Sequence, residues 1–78
     1  MKIVFVFNTS AGEFTIVEHD GRFHPYFDGQ DLGSYETARQ AAAELAAGNT
    51  FIPSPGIDPA SLGIPDDLRA WKAVGLLV

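Results

Sequence analysis

The sequence predicts an α+β fold, a three- to four-stranded antiparallel β-sheet of hairpins packed on one alanine-rich α-helix. Three features carry that expectation. Two Asp-Gly pairs, Asp20-Gly21 and Asp28-Gly29, interrupt alternating runs, and Asp-Gly suits the positive φ angles of a two-residue type I′ hairpin turn. The stretch "ETARQAAAELAAG" then places its apolar residues at helical spacing. The remainder, opening "FIPSPGIDPASLGIP", interleaves Phe51, Ile52, Ile57, Leu62 and Ile64 with prolines. That mixture marks an ordered segment wrapped on the domain rather than a solvated linker.

Each element follows in turn. "KIVFVF" (Lys2–Phe7) is β-branched and aromatic, as in a strand that is central or covered on both faces. "NTSAG" forms a turn, and Glu13–His19 alternates towards Asp20-Gly21. A two-residue loop there sets His19 opposite Arg22, Val17 opposite His24, Thr15 opposite Tyr26 and Phe14 opposite Phe27. One face collects Phe14, Ile16, Phe23, Pro25 and Phe27. The other collects Thr15, Val17, His19, Arg22, His24, Tyr26 and Asp28. Glu18 is the polar exception on the apolar face, beside the turn. Pro25 falls at a non-hydrogen-bonded pair with the preceding strand, so its missing N–H points towards the following one. That next strand, through about Gln30–Gly33, is therefore expected to be short and to end near Leu32.

A helix is expected over 35–47, with Ser34 as N-cap, Glu36 in the first turn and Gly48 at its C-terminal end. Tyr35, Ala38, Ala41, Ala42 and Leu45 share one stripe, opposite Glu36, Arg39, Gln40 and Glu44. In the tail, Pro59 is expected to open a single turn ending near Gly63. Pro65 is expected to open a short C-terminal helix in "DDLRAWKAV", with Asp66 and Asp67 at its start and Lys72 at its end. Leu68 and Trp71 would share a face of it, and the apolar "GLLV" points to docking or association. The chain thus reads as one domain, with a β-meander over 1–34, a helix over 35–47 and a wrapping tail over 48–78.

Composition narrows the function. A chain of 78 residues buries only about 60% of its unfolded surface and is marginally stable. Without cysteine it has no disulfide, thiolate metal site or Cys nucleophile, and depends on packing or on a partner. A net charge of −5 opposes nucleic-acid binding. The acids Glu13, Glu18, Asp20, Asp28, Asp31 and Glu36 surround the single base Arg22, which makes either a solvated face or a docking face for a basic partner. The longest apolar run, Ile3–Phe7, is too short for a membrane span. No secretory signal is recognisable either, so a cytoplasmic protein without membrane association is expected.

Chemistry-bearing groups are few. His19 and His24 lie diagonally across the first hairpin near Arg22 and Asp28, but strand-tip histidines lack a third metal ligand at a fixed spacing. Ser34, His24 and Asp28 compose a triad only on paper, since no nucleophile elbow surrounds Ser34. "DGQDLG" has neither the spacing nor the lysine of a phosphate loop. We therefore expect no enzyme, no cofactor and no metal. The expected interaction surface comprises His19, Arg22, His24, Tyr26, Glu18, Asp20, Asp28 and Asp31, with Trp71 either as an interface anchor or, more simply, as a core residue.

Two resemblances bear on these residues. "GRFHPYF", "LGSY", the alanine-rich helix, "PSPGID", "LGIP" and "DLRAW" together resemble a set of short bacterial proteins that carry a domain of unknown function, over roughly Gly21 to Trp71. Locally, Leu32-Gly33-Ser34-Tyr35-Glu36-Thr37-Ala38 with Ala41-Ala42 resembles the sheet-plus-helix core of AP2-type and integrase-arm DNA-binding domains. This second resemblance implies a sheet packed on a helix, with DNA read from the exposed sheet by basic and aromatic residues. Here that face offers one arginine among acids.

The leading expectation is a small non-enzymatic protein-interaction module with a protein partner, self-association as a homodimer included. One alternative is an acidic inhibitor of phage or mobile-element type, docked on a basic nucleic-acid-binding protein. A second is weak nucleic-acid binding through the sheet.

Overall fold

In the computed structural model, which describes residues 2–54 and 56–74, the fold is the expected α+β arrangement with one more strand than anticipated. Strands β1 (Lys2–Thr9), β2 (Gly12–His19), β3 (Arg22–Phe27), β4 (Gln30–Asp31) and β5 (Lys72–Ala73) form one antiparallel sheet in the order β4-β3-β2-β1-β5. A single helix, α1 (Ala38–Ala47), and two 3₁₀ turns at Pro59–Ser61 and Leu68–Ala70 complete the described elements.

The Asp-Gly pairs act as the turn chemistry requires. Asp20 and Asp28 adopt φ of 54° and 51°, and Gly21 and Gly29 follow at 75°, the sign pattern of a type I′ turn. The β2–β3 register is the expected one from His19↔Arg22 through Phe14↔Phe27. Strand β1 departs from simple alternation. Its pairing with β2 shifts between Ile3↔Val17 and Phe5↔Ile16, so a bulge at Val4 sets Ile3 and Val6 on one face and Phe5 and Phe7 on the other.

Pro25 explains the shortness of β4. The Leu32 N–H donates to the Pro25 carbonyl at 2.8 Å, while the reciprocal bond has no donor. Beyond Leu32 one extra residue loops out, and Tyr35 then exchanges both backbone bonds with Phe23, at 2.8 and 2.9 Å. This bridge corrects the expected helix start. Tyr35 is held extended, so α1 begins only at Ala38. Its N-cap is Thr37, whose Oγ1 accepts from the Gln40 N–H at 3.0 Å. Ser34 is not the cap: its hydroxyl accepts from Arg22 Nε. Glu36 likewise lies before the first turn. Gly48, left-handed at φ 77°, closes the helix as anticipated.

The tail folds differently from expectation at its end. Pro59 does open a single turn, capped by Asp58, whose carboxylate accepts from the Ala60 N–H. The expected C-terminal helix does not form. Asp67 caps only the 3₁₀ turn, Trp71 is extended, and Lys72 and Ala73 pair with Val6 and Phe5 as an edge strand. A cross-strand partner here outweighs the helical propensity of "DLRAWK". Phe51 and Ile52 are exposed, against the expectation that the tail's apolar residues pack, whereas Pro53, Pro59 and Ile64 are buried. Gly75–Val78, the "GLLV" expected to dock, lies outside the described residues.

The core sits between one sheet face and α1. Phe14, Ile16, Leu32, Ala41, Ala42, Leu45, Ile64 and Trp71 are buried, and Phe14 packs on Phe27 with ring centroids 4.5 Å apart. Ala41 and Ala42 are fully buried, so the helix backbone lies close to the aromatic face of the sheet. No helix among the described residues is long and apolar enough to cross a membrane.

Candidate interaction surface

With α1 and the tail's turns on the Phe14–Ile16 face, the other face of the sheet carries no second layer among the described residues. Cross-strand partners share a face, so the ladders place Ile3, Thr15, Val17, His19, Arg22, His24 and Tyr26 together. Asp31 joins them opposite Tyr26, and Lys72 opposite Val6. Ile3 is 46% exposed, while Val17 is buried among its neighbours on this face.

The polar groups here are mostly committed to one another. The His24 Nδ1–H donates to both Asp31 carboxylate oxygens, at 3.1 and 3.2 Å. Asp31 Oδ1 also accepts from the Gly33 N–H at 3.1 Å. This pairing fixes the His24 tautomer and ties β3 to the chain leaving β4. The His19 ring lies 6.3 Å from that of His24, and its Nε2 is 3.4 Å from Asp20 Oδ2. Arg22 is spent on Ser34, donating from Nε to the hydroxyl and from its terminal nitrogen to the carbonyl. Its guanidinium thus anchors the segment between β4 and α1. On the covered side, partial burial and the Glu44 carboxylate raise the Tyr35 phenol above its ordinary value.

Two residues of the expected surface lie on the core side, where the hairpin register sets Glu18 and the simpler reading sets Trp71. Glu18 faces Phe23 and lies 3.9 Å from Lys2 Nζ, which puts it on the core side at the sheet's end. Trp71 takes the core role, not that of an exposed anchor. It is 5% exposed, packs on Phe7 with ring centroids 5.7 Å apart, and donates from Nε1 to the Pro65 carbonyl at 2.8 Å.

The residue reading missed the feature that gives this face its shape. An open trough of about 1000 Å³ runs over it, floored by Ile3, Thr15, Val17 and Tyr26 and reaching Ser54 and Ile57 of the tail. Glu13, next to Phe14 on β2, and Asp28, in the turn that follows Phe27, line its end. Ile3 was unrecognisable as a lining residue because the Val4 bulge leaves no mark in a run that is apolar throughout. Glu13 and Asp28, by contrast, are the chain neighbours of Phe14 and Phe27, a pair that the hairpin register sets. Among the described residues, no three His, Asp or Glu side chains come together as a metal site.

Compared with protein-family models, with curated proteins and with solved structures, the chain matches none.

Proposed function

We propose that the chain is a small non-enzymatic protein-interaction module of the cytoplasm, presenting the sheet face opposite α1 to a protein partner. The observation that carries this reading is the trough. Its floor joins exposed Ile3 to Val17, Thr15 and Tyr26 without a covering layer among the described residues. A concave apolar surface of this kind, rimmed by polar groups, is what partner-binding faces share. The carboxylates of Glu13, Asp20, Asp28 and Asp31 around the same face favour a basic protein surface and repel nucleic-acid phosphates. The acidic-inhibitor reading uses this face too, with a nucleic-acid-binding protein as the partner it occludes.

The test is an affinity pull-down from the host, comparing the wild-type chain with Thr15→Glu, with a variant neutralised at Asp20, Asp28 and Asp31, and with Arg39→Ala on the exposed side of α1. A stoichiometric partner held by wild type and Arg39→Ala but lost by Thr15→Glu supports the reading. A weakened complex with the neutralised variant supports a basic partner. The same proteins recovered with all four chains would refute it.

A further inference from the structure

We infer that the trough is a slot for an arginine side chain flanked by apolar residues, presented by an extended segment of a protein partner. The inference deepens the protein-interaction reading and rests on it. Charge complementarity within the trough is the starting point. Glu13 and Asp28 are its only charged lining groups among the described residues, and both are acids. The cations on the same face do not line it: Arg22 is engaged with Ser34, and Lys72 stands on β1's far side, opposite Val6.

Two carboxylates at one end of the trough make that end electronegative, and a cation seated there is favoured. The rest of the lining selects which cation. Thr15 and Tyr26, the floor residues next along the strands from the acids, receive the aliphatic stem, which a long basic side chain lays on apolar surface while its head stays polar. An aromatic ring, Tyr26, lies on the same floor, and a guanidinium stacks on aromatic faces and forks between two carboxylates better than an ammonium does. A simple metal ion gains nothing from the apolar floor. A nucleic-acid backbone meets the wrong charge. The flanking residues of the partner segment are apolar because the trough continues from the acids over Ile3 and on to Ile57.

The direct test uses the peptide acetyl-Val-Arg-Val-amide and its citrulline counterpart, which keeps the shape and removes the charge. Each is titrated into ¹⁵N-labelled protein and followed by amide chemical shifts. The arginine peptide is expected to shift Thr15, Val17, Tyr26 and Gly29 selectively, with an affinity that falls as salt rises. The citrulline peptide is expected to bind about fivefold more weakly or worse, the size of two exposed charge contacts. The Glu13→Gln/Asp28→Asn double variant is expected to abolish the difference between the peptides. It should keep the fold, because asparagine tolerates the positive φ of position 28. Equal binding of both peptides to wild type, or no shifts at these four residues, overturns the arginine slot. If the host partner is lost by Thr15→Glu yet fully retained by the double variant, the interaction module stands and only the arginine slot fails.

Discussion

The side-chain amide of Gln30 pairs with the backbone of Ser54 as a neighbouring strand would. The Ser54 N–H donates to Oε1 at 2.8 Å, and Nε2 donates back to the Ser54 carbonyl at 3.1 Å. Together with the Phe51 N–H donating to the Leu32 carbonyl at 3.0 Å, this clamp lays the tail along the outer edge of β4. An edge that would otherwise offer unpaired backbone groups is thereby covered.

Removing the clamp should loosen the tail more than the domain. Gln30→Ala deletes both bonds, which are solvent-exposed and contribute about 0.5 kcal/mol each. The melting temperature is expected to fall by roughly 4–8 °C, the response of a domain this size to about 1 kcal/mol. Hydrogen exchange should accelerate at Ser54 and Phe51 and stay unchanged in the β1–β2 ladder. Gln30→Glu keeps the acceptor and loses the donor, so an intermediate loss is expected. Uniform acceleration across the sheet would show that the clamp supports the whole domain instead.

Trp71 should behave as a core residue with a polar tether. Trp71→Phe keeps an aromatic ring against Phe7 but leaves the Pro65 carbonyl without its donor, at a cost of about 1–2 kcal/mol. Trp71→Ala costs about 3–5 kcal/mol, a large share of the roughly 4–12 kcal/mol expected for a domain of this length. Urea denaturation followed by circular dichroism measures both. As the chain's sole tryptophan, Trp71 also reports on itself, and its fluorescence should resist acrylamide quenching in the native state. Quenching as efficient as that of a free indole would rule out the buried position.

Local rules made the hairpins legible and left the helix start and the tail's end obscure. Asp-Gly turns and alternation are decided within a few residues, so the β2–β3 register followed directly from the sequence. Ser34 resembles an N-cap as much as Thr37 does, and the choice between them is tertiary. Arg22 takes the Ser34 hydroxyl, and Phe23 holds Tyr35 extended. One local signal did mark the true start: Thr37-Ala38-Arg39-Gln40 has capping-box spacing, and Gln40 Oε1 reaches back to the Glu36 N–H at 3.3 Å. No such signal exists for β5. Its pairing depends on β1, far away in sequence, and the Val74 N–H bond to the Val4 carbonyl at 2.9 Å extends it at the bulge. Most of the trough shares that origin, being made by the bulge and by where the tail passes.

Gly33 is where the chain between β4 and α1 is least tolerant of a side chain. Its φ of 149° is one that L-residues rarely adopt, and an added Cβ would lie 2.9 Å from Tyr35 Cε2 and 3.0 Å from the Tyr35 hydroxyl. The Tyr35 ring packs against the core cluster, which limits how far it can retreat. Gly33→Ala is expected to cost about 1–3 kcal/mol. Because part of that cost is the ring contact, the same change in a Tyr35→Ala background should cost measurably less. A double-mutant cycle by chemical denaturation supplies the comparison. Strict additivity would assign the whole effect to the backbone.

Asp67 should titrate well below an ordinary carboxyl. The Arg69 guanidinium donates to it, at 2.7 Å from the terminal nitrogen, and the Arg69 N–H donates to Oδ1 at 2.9 Å. These side-chain and backbone hydrogen bonds, with the Arg69 charge, lower its pKa to about 2. A depressed folded pKa means that the unfolded chain binds the proton more readily. The contribution of Asp67 is therefore fully present above its ordinary value of 3.8 and disappears as pH falls towards 2. Because the pair is exposed, the effect on overall stability is small and shrinks with salt. Carboxyl ¹³C shifts measured against pH should place Asp67 below the usual carboxylate range. In Arg69→Ala its pKa should rise part of the way back, since the backbone N–H at position 69 still donates. An unchanged Asp67 titration in Arg69→Ala would show that the cap alone, without the guanidinium, holds the carboxyl ionised.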